Sequence, residues 1–306
     1  MSSNRRRVEL LILDMDNTLY DWVGYFVPAF DAMTYEAARI LGVPEADLRR
    51  DLRDVHRLWG TTDMPFALLE SAIVRESFAG LTRDETYERL LPAFLAFDSE
   101  KRAILSLYEG VSATLADVKA SGCQIVGHTE AAVRSIRSRA RMLRLDRFVS
   151  TIYATASRGA GHPKSTNRAE ISARIRYRDY EEIAVISVSE AERKPNPALI
   201  RHILSDYSVA PNLCLYVGDS LSRDIAMALR AGVMAAWARY GTWHDSEQYS
   251  RLLEITHWGA QDTSGREMAP DPSQFVTLTR FSDLLERYEF GTSSAPSSDN
   301  RPPLTH

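Results

Sequence analysis

The chain has 306 residues, with 41 acidic and 37 basic side chains and a formal net charge of −4. This length suffices for one or two domains with a sizeable core, and the acidic balance argues against a general nucleic-acid-binding protein. The two cysteines, Cys123 and Cys214, exclude a disulfide framework and are expected to be buried, reduced thiols. No segment approaches the roughly 18 apolar residues that span a membrane. We therefore expect a cytoplasmic protein.

The N-terminal third of the chain predicts one strand followed by helices. The apolar run at residues 8–13 predicts a buried strand that ends in an acidic cluster. Residues 24–107 show no comparable strand. A helix is expected after Pro44, and Thr82 with Glu85 fits a capping box at the start of another. This block is expected to form a separate helical unit.

Beyond residue 110 the pattern alternates between short apolar runs and helical periodicity. The predicted strands are 123–127, 148–154, 183–188, 213–217, 233–238 and 275–278, and the predicted helices are 111–120, 130–143, 197–204, 221–231 and 282–288. Such alternation predicts a parallel sheet with helices on both faces. Because parallel crossovers are nearly always right-handed, the carboxyl ends of the strands meet at one edge, where ligands bind.

These patterns divide the chain into a core and three additions. We predict an α/β, three-layer, Rossmann-like core from residues 1–23 and 108–290, with an inserted α-helical cap domain at 24–107. Residues 157–178 are rich in Gly, Ser and Arg and interrupt the rhythm, so they are expected to be an insertion within the core. Residues 291–306 are rich in Ser and Pro and are expected to form a disordered tail.

Polar side chains follow the first predicted strand. Asp14 and Asp16 come two residues apart on chain leaving the sheet, so both carboxylates can face one small site. One carboxylate can then attack as a nucleophile while the other handles a proton. The two would repel each other unless a cation lay between them.

Three further strand ends carry polar side chains. Thr129 precedes a predicted helix, where a hydroxyl and free backbone N–H groups suit an anion. Lys194 precedes a proline-opened helix and suits a phosphate, whereas Asp219 and Asp224 add carboxylates after the 213–217 strand. Oxygen ligands without paired histidines or cysteines favour Mg²⁺ over zinc. Each signal is weak alone, but four in order at strand ends favour a functional site.

In these positions the sequence resembles the haloacid dehalogenase-like superfamily of aspartate-nucleophile phosphohydrolases. The resemblance covers roughly residues 8–24 and 108–289. The stretches that carry it are 11–19 (LILDMDNTL), 125–129 (IVGHT), 194–197 (KPNP) and 216–225 (YVGDSLSRDI), with weaker matches at 108–111 (YEGV) and 228–232 (ALRAG).

The resemblance implies a role for each matching residue. Asp14 would attack phosphorus and become a phosphoaspartate, and Asp16 would protonate the leaving group and then activate water. Thr129 and Lys194 would hold the phosphoryl oxygens. The Mg²⁺ ligands would be the Asp14 carboxylate, the Asp16 backbone carbonyl and Asp219, with Asp224 binding directly or through water.

The same resemblance narrows the range of reactions expected of this chain. Dehalogenase members lack the second aspartate, so Asp16 favours a phosphatase or a phosphomutase. The predicted function is Mg²⁺-dependent hydrolysis of a small phosphorylated metabolite, with specificity placed in the helical cap. A phosphotransferase or phosphomutase on the same core and a catalytically idle binding or regulatory protein remain alternatives.

Several features depart from the family pattern or stand outside it. Thr129 is followed by Glu130 where the family usually has asparagine, and it is preceded by His128 where a small or apolar residue is frequent. For His56, in the predicted cap, a packing or surface role is favoured over contact with the leaving group of a substrate. The helix after Thr129 is crowded with arginines, for which a solvated helix face is favoured over a nucleic-acid or partner surface. These are Arg134, Arg137, Arg139, Arg141, Arg144 and Arg147.

Overall fold

The computed structural model describes residues 5–64, 66–156, 163, 183–258 and 270–292. The strands are β1 (Arg6–Val8), β2 (Leu10–Leu13), β3 (Gln124–Ala132), β4 (Thr151–Thr155), β5 (Ala184–Val188), β6 (Cys214–Gly218), β7 (Met234–Ala238), β8 (Val276–Leu278) and β9 (Tyr288–Phe290). The helices are α1 (Trp22–Leu41), α2 (Glu45–Trp59), α3 (Ala72–Ser77), α4 (Arg83–Arg89), α5 (Leu91–Ile104), α6 (Val111–Ala120), α7 (Val133–Met142), α8 (Ala198–Asp206), α9 (Ala226–Ala231), α10 (Ser246–Ile255) and α11 (Leu284–Arg287).

Seven of these strands form one sheet in the order β5-β4-β3-β2-β6-β7-β8. Every neighbouring pair in it is parallel. β2 lies in the middle, hydrogen-bonded to β3 on one side and to β6 on the other. The first strand after the N-terminus therefore delivers its carboxyl end to the centre of the edge where ligands bind in such sheets.

Side-chain alternation along the sheet produces two cores, one on each face. In β2, Leu11 and Leu13 belong to a large core shared with α1, α6 and α7. Leu10 and Ile12 belong to a second core with α8 and α9. Because β2 is buried on both faces, it reads as a continuous apolar run. The three-layer α/β architecture that the sequence predicts is thereby confirmed.

In chain order, helices α1–α5 come between β2 and α6, as the absence of strand patterns at 24–107 predicts. α1 packs along α5, and α1 and α2 also contact α10 from the other part of the chain. Pro44 immediately precedes α2, and the capping box of Thr82 and Glu85 is present at the start of α4. We refer to α1–α5 below as the inserted helices. In the described residues no helix is long and apolar enough to cross a membrane.

The chain departs from the predicted elements at three places. The apolar run 8–13 is divided at Glu9, because β1 pairs with β9 in a separate two-stranded sheet. β9 itself was not predicted, and it ends the expected helix 282–288 at Arg287. The helix expected from residue 130 begins only at Val133, because β3 runs on to Ala132 beside β4.

Two predicted segments lie outside the described residues. The expected insertion at 157–178 is described only at Pro163, and the expected disordered tail only at Gly291 and Thr292. Cys123 and Cys214 are both buried and form no disulfide, as predicted.

Candidate active site

The carboxyl edge of the sheet gathers the polar side chains singled out from the sequence. Asp14 directly follows β2, and its N–H donates to the carbonyl of Val217 at the end of β6 (2.8 Å). Asp219 follows β6, Lys194 follows β5, and Thr129 lies within β3. Parallel strands have brought residues about 200 positions apart in the chain to one place.

Asp14 lies at the centre of this edge and is 6% exposed. Its carboxylate accepts hydrogen bonds from the ammonium of Lys194 and from the hydroxyl of Thr18 (3.0 Å). Burial raises the pKa of Asp14 to about 7, although the nearby ammonium opposes this rise. The side chain is thus held in a fixed orientation by two donors, one of which is cationic.

Lys194 bridges two carboxylates. Its Nζ pairs with Asp14 and lies 2.8 Å from Oδ1 of Asp224. Burial alone would lower the pKa of Lys194, but the two carboxylates outweigh it and raise the pKa well above its ordinary value. The lysine is therefore a permanent cation beside Asp14.

A third carboxylate, that of Asp219, lies close to these two. Asp14, Asp219 and Asp224 each offer an oxygen, and these oxygens all lie within 4.8 Å of one another. Burial and the carboxylate of Asp14 raise the pKa of Asp219 well above its ordinary value. Three carboxylates this close together repel one another unless a cation lies between them, and hard oxygen donors suit Mg²⁺. The residues present fit a divalent cation.

Asp224 is held by its own turn. It lies in the wide helical turn Leu221–Ile225 that opens the predicted helix 221–231. The backbone N–H of Ser220 donates to its Oδ2 (3.0 Å), and the hydroxyl of Tyr216 donates to its Oδ1 (3.3 Å). These bonds and Lys194 fix the carboxylate against the acidic cluster.

Asp16 is not one of the three clustered carboxylates, and its side chain contacts Arg139. Its Oδ2 lies 3.5 Å from the guanidinium of Arg139 and accepts a long hydrogen bond from Thr129 (3.5 Å). Its Oδ1 has no hydrogen-bond partner among the described residues. Burial raises the pKa of Asp16, with Arg139 opposing. The expected metal contact through its backbone carbonyl remains a prediction.

Thr129 does not stand at a helix start, contrary to expectation. It lies in β3, four residues before α7 begins, because the strand continues past it. Its hydroxyl accepts a hydrogen bond from the N–H of Ala131 (3.0 Å) and points toward Asp16. The side chain is in place at the site, but the expected anion site at a helix N-terminus is absent there.

The two departures from the family pattern have physical explanations. Glu130 is paired with Arg193 (3.4 Å) and with Arg223, so its charge is balanced. His128 is fully buried, and burial together with the nearby Lys194 lowers its pKa well below the ordinary value. Its neutral ring contacts the hydroxyl of Tyr216 (3.3 Å).

Arg139 is the residue that the sequence reasoning misjudged. The solvated arginine face is wrong at this position, since Arg139 is 2% exposed. It donates to the hydroxyl of Tyr25 (2.7 Å) and to Oδ2 of Asp63 (2.9 Å), besides contacting Asp16. A signal was available, because Arg139 stands three residues after the apolar Ile136 and shares its buried face.

The fold and the site together define a Rossmann-type α/β enzyme core with its polar site at the carboxyl edge of the sheet. The model of the haloacid dehalogenase-like hydrolase family matches residues 8–232, and the chain belongs to this family.

Two relatives cover most of the chain. It is 26% identical to a phosphoglycolate phosphatase of Nitrosococcus oceani over 78% of this chain and 87% of the relative. It is 27% identical to an N-acetylmuramic acid 6-phosphate phosphatase of Pseudomonas aeruginosa, over 84% and 90% respectively. Among solved structures, a 2-haloacid dehalogenase of Pseudomonas syringae pv. Tomato superposes with a TM-score of 0.54 at 20% identity, over 91% of this chain and 97% of that one. This likeness concerns the fold.

Proposed function

We propose that this protein is a Mg²⁺-dependent phosphate monoester hydrolase that acts through a phosphoaspartate on Asp14. The observation that carries the proposal is the pairing of buried Asp14 with Lys194 beside the carboxylates of Asp219 and Asp224. Phosphoryl transfer needs mainly positioning and neutralisation of oxygen charge. This edge supplies both, and both curated relatives are phosphatases by name.

The proposed reaction has two steps. A carboxylate oxygen of Asp14 attacks phosphorus, the bond from phosphorus to the ester oxygen breaks, and the departing alkoxide takes a proton from Asp16. Water then gives a proton to Asp16 and attacks phosphorus, so the bond to Asp14 breaks and inorganic phosphate leaves. Oδ1 of Asp16 supports this role, since it has hydrogen-bond capacity that a bound molecule can use, with the hydroxyl of Tyr20 as its neighbour.

The remaining residues hold charge and geometry. Lys194 and Thr129 would bind phosphoryl oxygens. Asp14, Asp219 and Asp224, with the Asp16 backbone carbonyl, would hold Mg²⁺, which when bound neutralises phosphoryl oxygen charge. Lys194 would also favour the ionised, nucleophilic form of Asp14, because an adjacent ammonium stabilises the carboxylate.

We propose that the inserted helices form a cap over a core of residues 1–23 and 108–290. The contact from Arg139 in α7 to Tyr25 and Asp63 joins the inserted helices to the core beside Asp16. A cap in this position excludes water from the phosphoryl group and selects the alcohol part of the ester. The substrate class is therefore a small phosphorylated metabolite.

The test is phosphate release from a panel of small phosphate esters with Mg²⁺. Wild type, Asp14→Asn and the exposed control Asp117→Asn are compared. We expect release by wild type and the control and loss in Asp14→Asn. No release by wild type from any ester would contradict the proposal. Transfer of the phosphoryl group to an added sugar, without release to water, would instead indicate a phosphotransferase.

A further inference from the structure

A cavity of about 170 Å³ lies between helices α1 and α5 of the cap and helix α7 of the core. Much of its wall is aromatic or apolar, and most of these side chains are buried. They are Phe26, Phe30, Met33, Phe66, Phe94 and Phe97. For comparison, an apolar protein cavity of about 150 Å³ stays free of water and binds benzene. The space is therefore of the size that an apolar ring fills, and its aromatic side chains offer such a ring apolar contacts, while Ser135, Ser138 and charged side chains complete the wall.

The cavity adjoins the proposed site through one side chain. Arg139 lines it together with Tyr25 and Asp63, both of which accept hydrogen bonds from the guanidinium. The same guanidinium lies 3.5 Å from Oδ2 of Asp16. Arg139 therefore belongs both to the wall of the cavity and to the surroundings of Asp16. Asp16 is the proposed acid, and its carboxyl group must reach the ester oxygen of the substrate.

Unused hydrogen-bond capacity marks this junction. In the described part of the chain, Oδ1 of Asp16 and Nε of Arg139 are both buried without a hydrogen-bond partner. Buried polar atoms are nearly always paired in native structures, with protein, water or ligand. Together with the hydroxyl of Tyr20, which is also buried beside Asp16, these atoms indicate a place where a bound molecule can complete the bonding.

The charged groups in the wall are three cations, Lys101, Arg134 and Arg139, and two carboxylates, Asp63 and Asp98. Arg139 is paired with Asp63 (2.9 Å), and Lys101 is paired with Asp98 (3.1 Å) and lies over the ring of Phe97. With these two pairs formed, the phenylalanine rings are the main surface that a bound molecule would contact. A second ionic group on the substrate would compete with these pairs and with the contact of Arg134 over the ring of Phe66, whereas an apolar group would not.

We infer that this cavity receives the alcohol part of the ester, and that the preferred substrates are phosphate monoesters of alcohols bearing an apolar group about the size of a benzene ring. The inference rests on the proposed function and adds the substrate class. The phosphoryl group would lie at Asp14, the ester oxygen at Asp16, and the apolar group beyond Arg139 among the phenylalanines.

The test compares kcat/KM for 2-phenylethyl phosphate, ethyl phosphate and glycerol 3-phosphate. All three are esters of primary alcohols of similar leaving-group character, so differences report binding of the alcohol part. We expect wild type to favour 2-phenylethyl phosphate by at least about tenfold, because burial of a ring in an apolar pocket is strongly favourable. Equal or lower kcat/KM for this ester overturns the inference while leaving the phosphatase proposal intact. No turnover of any of the three overturns the inference, and it overturns the proposed function as well only if no other ester of the panel is hydrolysed.

A pair of variants tests whether the preference for 2-phenylethyl phosphate arises in this cavity. Ala67 lines the cavity and is buried, so Ala67→Leu reduces the space without removing a polar group. Ala103 is exposed on α5, so Ala103→Leu adds the same group outside the cavity. We expect Ala67→Leu to lower the preference for 2-phenylethyl over ethyl phosphate by about tenfold and Ala103→Leu to keep it. An unchanged preference in a folded Ala67→Leu protein overturns the assignment.

If this variant fails to fold, inhibition of wild type by alcohols provides the same test. We expect competitive inhibition by 2-phenylethanol but not by ethanol, and equal inhibition by the two overturns the assignment.

Discussion

The guanidinium of Arg139 donates a hydrogen bond of 2.9 Å to Oδ2 of Asp63. Arg139 belongs to helix α7, which follows β3 of the sheet, and Asp63 belongs to the connection after helix α2 of the inserted helices. The bond therefore joins the two parts of the molecule on which the proposed mechanism depends. It also lies beside Asp16, the proposed acid and base.

This pair predicts a large loss of stability when the guanidinium is removed. Arg139→Met leaves the partly buried carboxylates of Asp63 and Asp16 without their cation, and we expect the free energy of unfolding to fall by about 3–5 kcal/mol. Urea unfolding of wild type and variant measures this difference in the free energy of unfolding. Asp54→Asn is the matched control, because Asp54 is exposed and 3.9 Å from Arg57, and its loss should cost less than about 1 kcal/mol. Equal losses in the two variants would contradict the account.

Lys194 provides a second prediction. Lys194→Met removes the ammonium that contacts Asp14 and Asp224, and we expect kcat/KM for any hydrolysed ester to fall by about 100-fold or more, because charge stabilisation at the phosphoryl oxygens is lost. Lys119→Met is the control, since Lys119 is exposed on α6 and donates to the backbone carbonyl of Arg147. Near-normal activity in Lys194→Met would rule out its assigned role.

The acidic cluster predicts a dependence on Mg²⁺ that does not rely on activity alone. A cation that binds only the folded state raises Tm, by an amount set by RT ln(1 + [L]/Kd). We expect Mg²⁺ to raise the Tm of wild type and of Asp117→Asn, and a chelator to abolish turnover. Asp219→Asn should show a much smaller rise, because one of the three clustered carboxylates is gone. A full rise in that variant would place the cation elsewhere.

His56 predicts how stability changes with pH. Its Nδ1–H donates to the carbonyl of Ile255 (2.7 Å), and burial lowers the pKa of His56 to about 4. The unfolded chain, with an ordinary histidine pKa of about 6.5, therefore binds the proton first as pH falls. The contribution of His56 is present above about pH 6.5 and is lost as pH falls from there toward about 4.

The measurement compares the free energy of unfolding at about pH 7.5 and about pH 5 in wild type and His56→Gln. We expect the decrease on acidification to be about 2 kcal/mol smaller in the variant, whatever its stability at neutral pH. His128, whose pKa is also lowered by burial, contributes to the decrease in both proteins and so cancels in the comparison. Identical decreases would show that His56 does not titrate as described.

The sheet and much of its edge could be predicted from the sequence for a simple reason. Alternating β and α patterns dictate parallel strands, and parallel strands bring their carboxyl ends together, so Asp14, Lys194, Asp219 and Asp224 had to converge. The structure places all four at this edge. Their catalytic and metal-binding roles remain proposals.

The errors arose where tertiary pairing overrides local preference. Residues 130–132 are Glu-Ala-Ala and favour a helix locally, yet they extend β3 because Ala132 pairs with Thr155 of β4 across an irregular register. Arg139 looked solvated because arginine usually is, and only its partners Tyr25, Asp63 and Asp16, far away in sequence, make its burial tolerable. Such partners are not visible in a local pattern.

The most direct measurement of the central claim is chemical identification of the covalent intermediate. Wild type is mixed with a hydrolysed, ³²P-labelled ester and Mg²⁺, quenched in acid within the first turnover, and reduced with borohydride, which converts a phosphoaspartate into homoserine. We predict ³²P on the acid-quenched protein and homoserine at position 14, with neither in Asp14→Asn. Release of labelled phosphate at the normal rate with no label on the protein, together with activity in Asp14→Asn, would contradict the account.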